Sequence, residues 1–314
     1  MSKVAFLFPG QGSQYVGMGA DIRKSYKFAI PMFKEAEDVC NINVEKLCMD
    51  GPLEDLTKTV NLQPCLTTVD IICAKALMEE GIHPDAVAGH SLGEYPALWA
   101  CGALGFADCV RLVRERGRVM EEAAQKKPGA MAAIIGLESQ QLQRLIDDVL
   151  LHLKGVLAMA NHNSREQIVV TGEKALVQQL CGRVKELGKR AVMLKVSGAY
   201  HSPLMKEAAD KFAKALSSLK LKRPSIPIYS NVSAEPEKEP DTISRLLFQQ
   251  MCMPVRWYEI ANNMYRDGVR IFIETGPKKV LSNLIKKSVD ADDYQVLNVE
   301  TTSDIDNVKH ALSI

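Results

Sequence analysis

The stretch Val87-Ala88-Gly89-His90-Ser91-Leu92-Gly93-Glu94-Tyr95 decides how the chain is interpreted. It joins an apolar run to the pattern Gly-x-Ser-x-Gly, and the residues that follow, 97–100, are typical of a buried helix. This order predicts a strand, a sharp turn and a helix, with Gly89 and Gly93 allowing the close approach that such a turn requires. Ser91 would stand at the apex, where its hydroxyl can attack a carbonyl carbon. A glycine-rich turn between a strand and a helix also occurs without any chemistry, so the pattern alone leaves both interpretations open.

Strands alternate with helices on both sides of residues 127–196. The predicted strands are Lys3–Phe8, the apolar run before Ser91, 226–230, 269–274 and 295–299. The predicted helices are 52–56, one that begins at Pro64 and stops at Gly81, one from about Leu92, 107–125, one to about Leu219, one ending near Gln250, one opened by residues 254–257, 280–287 and 305–312. This alternation predicts a mainly parallel sheet that helices cover on both faces.

Residues 127–196 have a different pattern. The predicted order is a strand at 130–137, a helix at 138–153, strands at 156–160 and 167–171 joined by a turn at 161–164, a helix at 173–187 and a strand at 190–196. That βαββαβ order is the ferredoxin-like unit. We therefore predict a small ferredoxin-like domain, 127–196, inserted into a large α/β catalytic domain, 1–126 and 197–314. The predicted fold class is α/β, with an α/β-hydrolase-like, mainly parallel sheet core and an inserted ferredoxin-like subdomain.

Composition narrows the possible partners. The 314 residues include 39 basic and 38 acidic side chains, so no general field attracts nucleic acid or a membrane surface. The N-terminal apolar run is too short for a signal peptide, and no segment approaches the length of a membrane span, which predicts a cytoplasmic protein. The eight cysteines contain no Cys-x-x-Cys and lie mostly in apolar surroundings, so we expect reduced core thiols rather than zinc ligands or disulfides.

The loop after the first strand, Pro9-Gly10-Gln11-Gly12-Ser13-Gln14, is rich in glycine. Tyr15 stands where a dinucleotide-binding fingerprint needs its third glycine, and no Gly-Lys-Ser/Thr follows, so neither nucleotide motif fits. The two glycines still let the backbone around Gln11 come close to another group. A simple turn is an equally good interpretation of this stretch alone.

A serine nucleophile needs a base, most often histidine. The six histidines are His83, His90, His152, His162, His201 and His310. His90 adjoins the serine, but its place inside the turn favours a structural role. His201 follows a strand among small residues and is the better candidate, although a structural role fits its surroundings equally well. The predicted helix 107–125 carries four arginines, one of which could turn inward to bind a carboxylate.

Six blocks of sequence occur together, in one order, along nearly the whole chain. They are Phe8-Pro9-Gly10-Gln11-Gly12-Ser13-Gln14, Gln63-Pro64, Gly89-His90-Ser91-Leu92-Gly93-Glu94-Tyr95, Arg116-Gly117, Gly198-Ala199-Tyr200-His201-Ser202-Pro203, and Gln250 with Pro254-Val255-Arg256-Trp257. Together they resemble the malonyl-CoA:acyl-carrier-protein transacylases of bacterial fatty-acid synthesis and the related acyltransferases of polyketide synthases. Six blocks in the family's order are very unlikely to arise by chance.

The resemblance implies catalytic roles for the matching residues. Ser91 would attack the thioester of malonyl-CoA, while His201 would take the serine proton and later give one to the leaving thiolate. The product would be a malonyl-serine ester. The backbone N–H groups of Gln11 and Leu92 would form the oxyanion hole. Arg116 would pair with the free carboxylate of the malonyl group, which separates this chemistry from that of a plain esterase.

Five further positions are implied to lie around the substrate. A main-chain carbonyl near Gln250 would orient the base, in place of the aspartate of a serine-protease triad. Asn161 matches a position near the acyl pocket and His90 one beside the nucleophile, while Gln63 belongs to one of the matching blocks. Tyr200, directly before the base, would crowd a branch at the acyl α-carbon, which predicts a preference for malonyl over methylmalonyl groups.

The resemblance also implies an acidic acyl carrier protein as second substrate, whose phosphopantetheine thiol must reach Ser91. Local positive charge for this partner could come from Lys278, Lys279, Lys286 and Lys287, or from Lys189 and Arg190, although solvated helix faces explain the same residues. No metal and no bound organic cofactor is implied, because CoA is part of the substrate. Two rival functions stay open: a serine thioesterase or esterase, and a non-catalytic carrier-binding module.

Overall fold

A computed structural model describes residues 2–196 and 198–313 of the chain. The strands are β1 (Lys3–Phe8), β2 (Ala86–Gly89), β3 (Ala130–Ile135), β4 (Leu157–Ser164), β5 (Gln167–Gly172), β6 (Arg190–Met193), β7 (Ile228–Tyr229), β8 (Pro236–Glu237), β9 (Val269–Thr275) and β10 (Gln295–Val299). The helices are α1 (Ala20–Ser25), α2 (Ala29–Cys40), α3 (Val44–Met49), α4 (Leu53–Thr57), α5 (Thr59–Glu79), α6 (Glu94–Ala100), α7 (Phe106–Lys126), α8 (Ser139–His152), α9 (Lys174–Glu186), α10 (Lys206–Ser217), α11 (Pro240–Gln250), α12 (Trp257–Arg266), α13 (Val280–Ser288) and α14 (Thr302–Leu312). Ser197, the predicted first residue of the returning large domain, lies outside the described residues.

Six strands form the larger sheet, in the order β10-β9-β1-β2-β7-β8. Neighbouring strands are parallel except for the pair β7 and β8. Alternate residues of β1 enter opposite cores: Phe6 and Phe8 pack in the core that includes α5 and α7, whereas Ala5 and Leu7 pack in the core that includes α12 and α13. The prediction of a mainly parallel sheet covered on both faces is confirmed.

Four strands form the smaller, antiparallel sheet, in the order β4-β5-β3-β6. The helices α8 and α9 pack on it through residues such as Leu142 and Val177, which share a core with Ile134 of β3. This arrangement confirms a ferredoxin-like subdomain. The division into a small domain, 127–196, and a large domain, 1–126 and 197–314, stays a prediction.

The predicted turn at 161–164 is wrong. These residues continue β4, and the hairpin turn lies at 165–166. Two main-chain hydrogen bonds connect the strand to the segment that precedes α12. The N–H of His162 donates to the carbonyl of Val255, and the N–H of Val255 donates to the carbonyl of Ala160, both at 2.8 Å. The polar residues that suggested a turn are therefore held in a strand that attaches the small sheet to the rest of the molecule.

The predicted start of the long helix at Pro64 is also wrong, because α5 begins at Thr59 and contains Pro64 in its interior. A proline inside a helix leaves the carbonyl one turn earlier without its usual N–H partner. Here that carbonyl belongs to Val60, and it accepts a hydrogen bond from Nη1 of Arg114 on α7 at 2.7 Å. A contact between two helices thus compensates for the proline, and no local sequence signal reveals it.

Two other segments differ from the sequence-based interpretation. Residues 16–51, for which no helix was predicted, contain α1, α2 and α3. Residues 235–241, for which neither a strand nor a helix was predicted, contain the short strand β8 and the start of α11. Pro240 occupies the first turn of that helix, where its missing N–H costs little.

The described residues also bear on the expectations from composition. None of their helices has both the length and the apolar character needed to cross a membrane. The eight cysteines are free thiols and seven of them are buried, as expected of core residues. Within the described ranges, no three metal-ligating side chains come together.

Candidate active site

The serine turn follows the carboxyl end of β2, which is an interior strand of the larger sheet. A 3₁₀ turn over Ser91–Gly93 connects this strand to α6. Ser91 has a left-handed backbone with φ of 52°, which is uncommon for a residue with a side chain and typical of a nucleophile elbow. A Cβ atom on Gly89 would lie 1.9 Å from the carbonyl carbon of Gly93, and one on Gly93 would lie 1.9 Å from the carbonyl oxygen of Phe8. Both glycines are therefore needed for this close packing.

His201 lies directly beside the serine. Its Nε2 is 2.8 Å from Oγ of Ser91, and its Nδ1 is 2.8 Å from the main-chain carbonyl oxygen of Gln250. Burial, assisted by the positive charge of Arg116, lowers the pKa of His201 to about 3. The imidazole is therefore neutral near pH 7. With Nδ1–H donating to the carbonyl, Nε2 has a free lone pair that can accept the serine proton.

One arginine of α7 turns inward. Its neighbours on the helix, Arg111, Arg114 and Arg118, bind acidic side chains of α7 or groups at residues 60–61. Arg116 is buried, and its Nη2 donates to Oγ of Ser91 at 3.1 Å and to Oε1 of Gln250 at 3.0 Å. Its Nε has no hydrogen-bond partner among the described residues. A buried guanidinium with an unused donor beside a nucleophile is suited to bind a carboxylate.

The first loop reaches the serine turn through Gly10. A Cβ atom at this position would lie 2.4 Å from the carbonyl oxygen of His90, so the two backbones are in contact. Gln11 and Leu92 consequently line the same cleft. Neither of their backbone N–H groups donates a hydrogen bond within the described parts of the chain. Two unused donors beside a serine can stabilise the negative charge of an oxyanion.

These groups surround one cleft with a volume of about 110 Å³. Its lining residues are Gln11, His90, Ser91, Leu92, Arg116, Met120, Met131, Asn161, Leu194, Val196, Tyr200 and His201. Ser91, His201 and Arg116 come from loops and a helix that pack around the larger sheet, while Met131 and Asn161 belong to strands of the smaller one. The cleft therefore lies between the two sheets, and eight of the ten predicted site residues line it.

Gln250 lies behind the cleft and does not line it. Its side chain is fully buried, its Nε2 donates to the carbonyl of Ser91 at 2.9 Å and to Oε2 of Glu94, and its Oε1 accepts from Arg116. Its carbonyl accepts from His201, as the resemblance implied. In the structure Gln250 thus contacts the serine turn, His201 and Arg116, and it is absent from the cleft wall.

Gln63 is likewise absent from the cleft wall. It is buried in α5, with its Nε2 3.4 Å from Sδ of Met120 and its Oε1 without a partner among the described residues. Met120 lines the cleft in its place. Any effect of Gln63 on a substrate in the cleft would therefore act through the position of Met120.

Three other predicted residues line the cleft and are held by neighbours. Nε2 of His90 is 2.8 Å from Oδ1 of Asn163, and burial lowers the pKa of His90. The hydroxyl of Tyr200 is 3.2 Å from Oγ1 of Thr59, which fixes the ring at the cleft wall. Asn161 lies in β4, where it forms a bridge with Val255, and not in the turn that the sequence predicted.

Two buried residues that the sequence interpretation left without a role hold the serine turn. Oδ1 of Asn231 accepts the N–H of Ser91 at 2.7 Å, and its Nδ2 donates to the carbonyl of Gly89 at 2.6 Å. Glu94, the first residue of α6, accepts hydrogen bonds from Asn231 and Gln250. Asn231 follows β7, the parallel neighbour of β2, so a polar residue just after that strand was a usable signal.

Comparison with known proteins places the chain among acyltransferases. The family model described as acyl transferase domain matches residues 5–309. A malonyl CoA-acyl carrier protein transacylase of Bacillus subtilis (strain 168) is 44% identical over 288 residues, which cover 91% of this chain and 90% of that protein. The chain belongs to the malonyl-CoA:acyl-carrier-protein transacylase family. The resemblance carried by the six sequence blocks is thereby confirmed.

Solved structures of transacylases share the fold over nearly the whole chain. An acyl carrier protein S-malonyltransferase from Vibrio cholerae O1 biovar eltor has a TM-score of 0.93 and 39% identity, covering 98% of this chain and 100% of that one. A malonyl-transacylase in complex with a type II polyketide synthase acyl-carrier protein has a TM-score of 0.94 and 36% identity, covering 99% and 100%. These likenesses confirm the predicted fold class.

Proposed function

We propose that the enzyme transfers a malonyl group from malonyl-CoA to the phosphopantetheine thiol of an acyl carrier protein, in fatty-acid or polyketide synthesis. The observation that carries this proposal is the 3.1 Å contact between Nη2 of Arg116 and Oγ of Ser91. In a malonyl thioester one methylene separates the free carboxylate from the reacting carbonyl. The group that binds the carboxylate must therefore lie beside the nucleophile, and the guanidinium of Arg116, through the position of Nη2, meets this requirement.

The first half of the reaction forms a malonyl-serine ester. Oγ of Ser91 attacks the thioester carbonyl while Nε2 of His201 takes the serine proton. The backbone N–H groups of Gln11 and Leu92 stabilise the oxyanion. The carbon–sulfur bond then breaks, and the imidazolium returns the proton to the leaving CoA thiolate.

The second half repeats these steps with the carrier. His201 takes the proton of the phosphopantetheine thiol, and the thiolate attacks the ester carbonyl held by the same oxyanion hole. The ester bond breaks, Ser91 regains its proton from the imidazolium, and the malonyl group leaves on the carrier. One base thus acts in both directions, with its orientation maintained by the carbonyl of Gln250.

Basic side chains on the surface of the enzyme support the binding of an acidic carrier protein. Nζ of Lys278 donates to the carbonyls of Gly12 and Gln14, so this lysine holds the first loop. Lys287 and Arg165 line a surface cleft of about 350 Å³ between α13 and the β4–β5 hairpin. Nη2 of Arg165 also lies 3.5 Å from Oε1 of Glu138, so we infer that Lys287 is the side chain available to attract the negative charge of the carrier.

No metal or bound organic cofactor is required, because serine, imidazole, guanidinium and backbone donors supply every step. We infer that the enzyme works in the cytoplasm. Its free, mostly buried thiols suit a reducing compartment.

The proposal is tested by following the fate of the malonyl group. The enzyme is incubated with malonyl-CoA and a holo type II acyl carrier protein, and malonyl-carrier and free malonate are both measured. We expect malonyl-carrier to form much faster than malonate, and no transfer to the apo carrier, which lacks the thiol. Malonate as the main product would indicate a thioesterase, and neither product would indicate a non-catalytic carrier-binding module.

Replacing Tyr200 by serine is expected to relax acyl selectivity. The ring lines the cleft and is fixed by the contact with Thr59, so its removal makes room for a branch at the α-carbon. We expect the ratio of kcat/KM for methylmalonyl-CoA to that for malonyl-CoA to rise roughly 10-fold, the usual scale for one methyl group in a pocket. Tyr200→Phe, which keeps the ring, is the control and should retain the wild-type ratio. Similar loading of both esters by the wild type would contradict this role.

A further inference from the structure

Glu94 is a buried carboxylate directly below the serine turn, and the catalytic steps above do not use it. Its Oε1 accepts the N–H of Asn231 at 3.2 Å, and its Oε2 accepts from Nε2 of Gln250. It is only 3% exposed. Both groups can only donate to Glu94. The ionised form accepts from both, whereas a protonated form would carry an O–H for which neither group offers an acceptor.

The two partners of Glu94 hold the nucleophile from both sides. Asn231 accepts the N–H of Ser91 and donates to the carbonyl of Gly89, while Gln250 donates to the carbonyl of Ser91. Both backbone polar groups of the serine are therefore bound by side chains that Glu94 anchors. These bonds support the left-handed backbone of Ser91, which is costly unless the surroundings fix it.

The same anchor reaches the base and the guanidinium. Gln250 accepts from Nη2 of Arg116 through Oε1 and from Nδ1 of His201 through its carbonyl. The amide of Gln250 thus separates the charges of Glu94 and Arg116. A direct ion pair would occupy the guanidinium donors, whereas the bridged arrangement balances its charge and leaves donors for a substrate carboxylate.

We propose that Glu94, as a carboxylate, is a positioning residue that holds the nucleophile, the base and the carboxylate-binding arginine in one catalytic arrangement through Asn231 and Gln250. This inference rests on the proposed transfer function. Glu94 does not touch substrate. Its loss should therefore lower the rate of acyl-enzyme formation much more than the affinity for malonyl-CoA.

The surroundings of Glu94 predict how the rate of malonyl-enzyme formation depends on pH. Burial raises its pKa to about 7, although its hydrogen bonds and the charge of Arg116 on α7 oppose the rise. The titratable neighbour on its own helix is Tyr95, whose pKa burial raises above its usual value, and Ser230, Asn231 and Gln250 do not titrate. As the pH falls through about 7, Glu94 gains a proton that its amide and N–H partners cannot accept. His201, with a pKa of about 3, stays neutral in this range, so it cannot cause the same loss of rate.

The test is the pH dependence of malonyl-enzyme formation in the wild type and in Glu94→Gln. Glutamine has the same shape but no charge. Its NH₂ group would face either the N–H of Asn231 or Nε2 of Gln250, and both of these groups are donors. We expect kcat to fall roughly 10- to 100-fold at pH 8, the scale of a small misplacement of reacting groups, with KM for malonyl-CoA changed less than threefold. The wild-type rate should fall below pH about 7, and the rate of Glu94→Gln should be flat from pH 6 to 8.

Two further variants keep the test decisive if Glu94→Gln does not fold. Asn231→Ala removes the hydrogen bonds from Asn231 to the serine turn and should lower kcat. The rate should still fall below pH about 7, an effect called the acid limb of the pH profile, because Glu94 is still present. Glu94→Asp, which keeps the charge, should retain part of the rate and the acid limb. Wild-type kcat and pH dependence in Glu94→Gln, or a wild-type profile without an acid limb between pH 5.5 and 8, would overturn the proposal. Absence of malonyl loading by the wild type would instead overturn the proposed function.

Discussion

Replacing His201 by alanine is expected to slow malonyl-enzyme formation roughly 10²- to 10⁴-fold, the contribution typical of a general base. Its Nε2 lies 2.8 Å from Oγ of Ser91. At neutral pH a serine hydroxyl without a base is a weak nucleophile. The low pKa of His201 adds a second expectation, because the neutral imidazole should persist well below pH 6. Stopped-flow measurement of CoA release in a single turnover gives the rate for each variant.

The control for this variant is His152→Ala. His152 lies at the end of α8 and is largely exposed, so its removal should leave the rate unchanged. His90→Ala is a sharper comparison, because this histidine lines the same cleft but bonds to Asn163. A larger loss of rate in His90→Ala than in His201→Ala would contradict the assignment of the base.

Replacing Arg116 by alanine is expected to remove the preference for acyl groups that carry a carboxylate. The guanidinium is buried, has an unused donor and makes no ion pair among the described residues. Without it the malonyl carboxylate would enter a cleft with no positive partner, at a cost of roughly 2–4 kcal/mol, or about 30- to 1,000-fold in kcat/KM for malonyl-CoA. The kcat/KM for acetyl-CoA, which has no carboxylate, should fall much less.

Two variants complete the measurement on Arg116. Arg116→Lys keeps the charge but cannot donate to two oxygens in one plane, so we expect an intermediate kcat/KM for malonyl-CoA. Arg118→Ala, on the exposed face of the same helix, is the matched control and should resemble the wild type. Equal losses for malonyl-CoA and acetyl-CoA in Arg116→Ala would show that the arginine has only a structural role.

The parts of the site that the sequence predicted are those with strong local signals. The Gly-x-Ser-x-Gly pattern requires a tight turn whatever the rest of the chain does, and the structure shows the contacts that exclude a Cβ atom there. The alternation of strands and helices likewise predicted the parallel sheet, because each buried strand is an apolar run bounded by turn residues. The pairing of His201 with Ser91 followed from the resemblance, since nothing local decides which histidine approaches the serine.

The parts that the sequence did not predict depend on distant contacts. Pro64 looks like a helix start until Arg114, on another helix, is seen to bind the carbonyl that the proline leaves free. Residues 161–164 have turn-like side chains, yet hydrogen bonds with Val255 keep them in a strand. Asn231 was not found because its partner Ser91 is far away in the chain, and the two meet only where parallel strands end at one edge of the sheet.

The central claim is that Ser91, His201 and Arg116 act in one cleft to carry a malonyl group on the serine oxygen. Mass spectrometry of the intact enzyme after brief exposure to a panel of acyl-CoA esters tests it most directly, with Ser91→Ala as the matched variant. The wild type should gain the mass of one malonyl group from malonyl-CoA, with the modified peptide containing Ser91, and little from acetyl-CoA. The variant should gain none. Malonyl mass on Ser91→Ala, or none on the wild type, would contradict the claim.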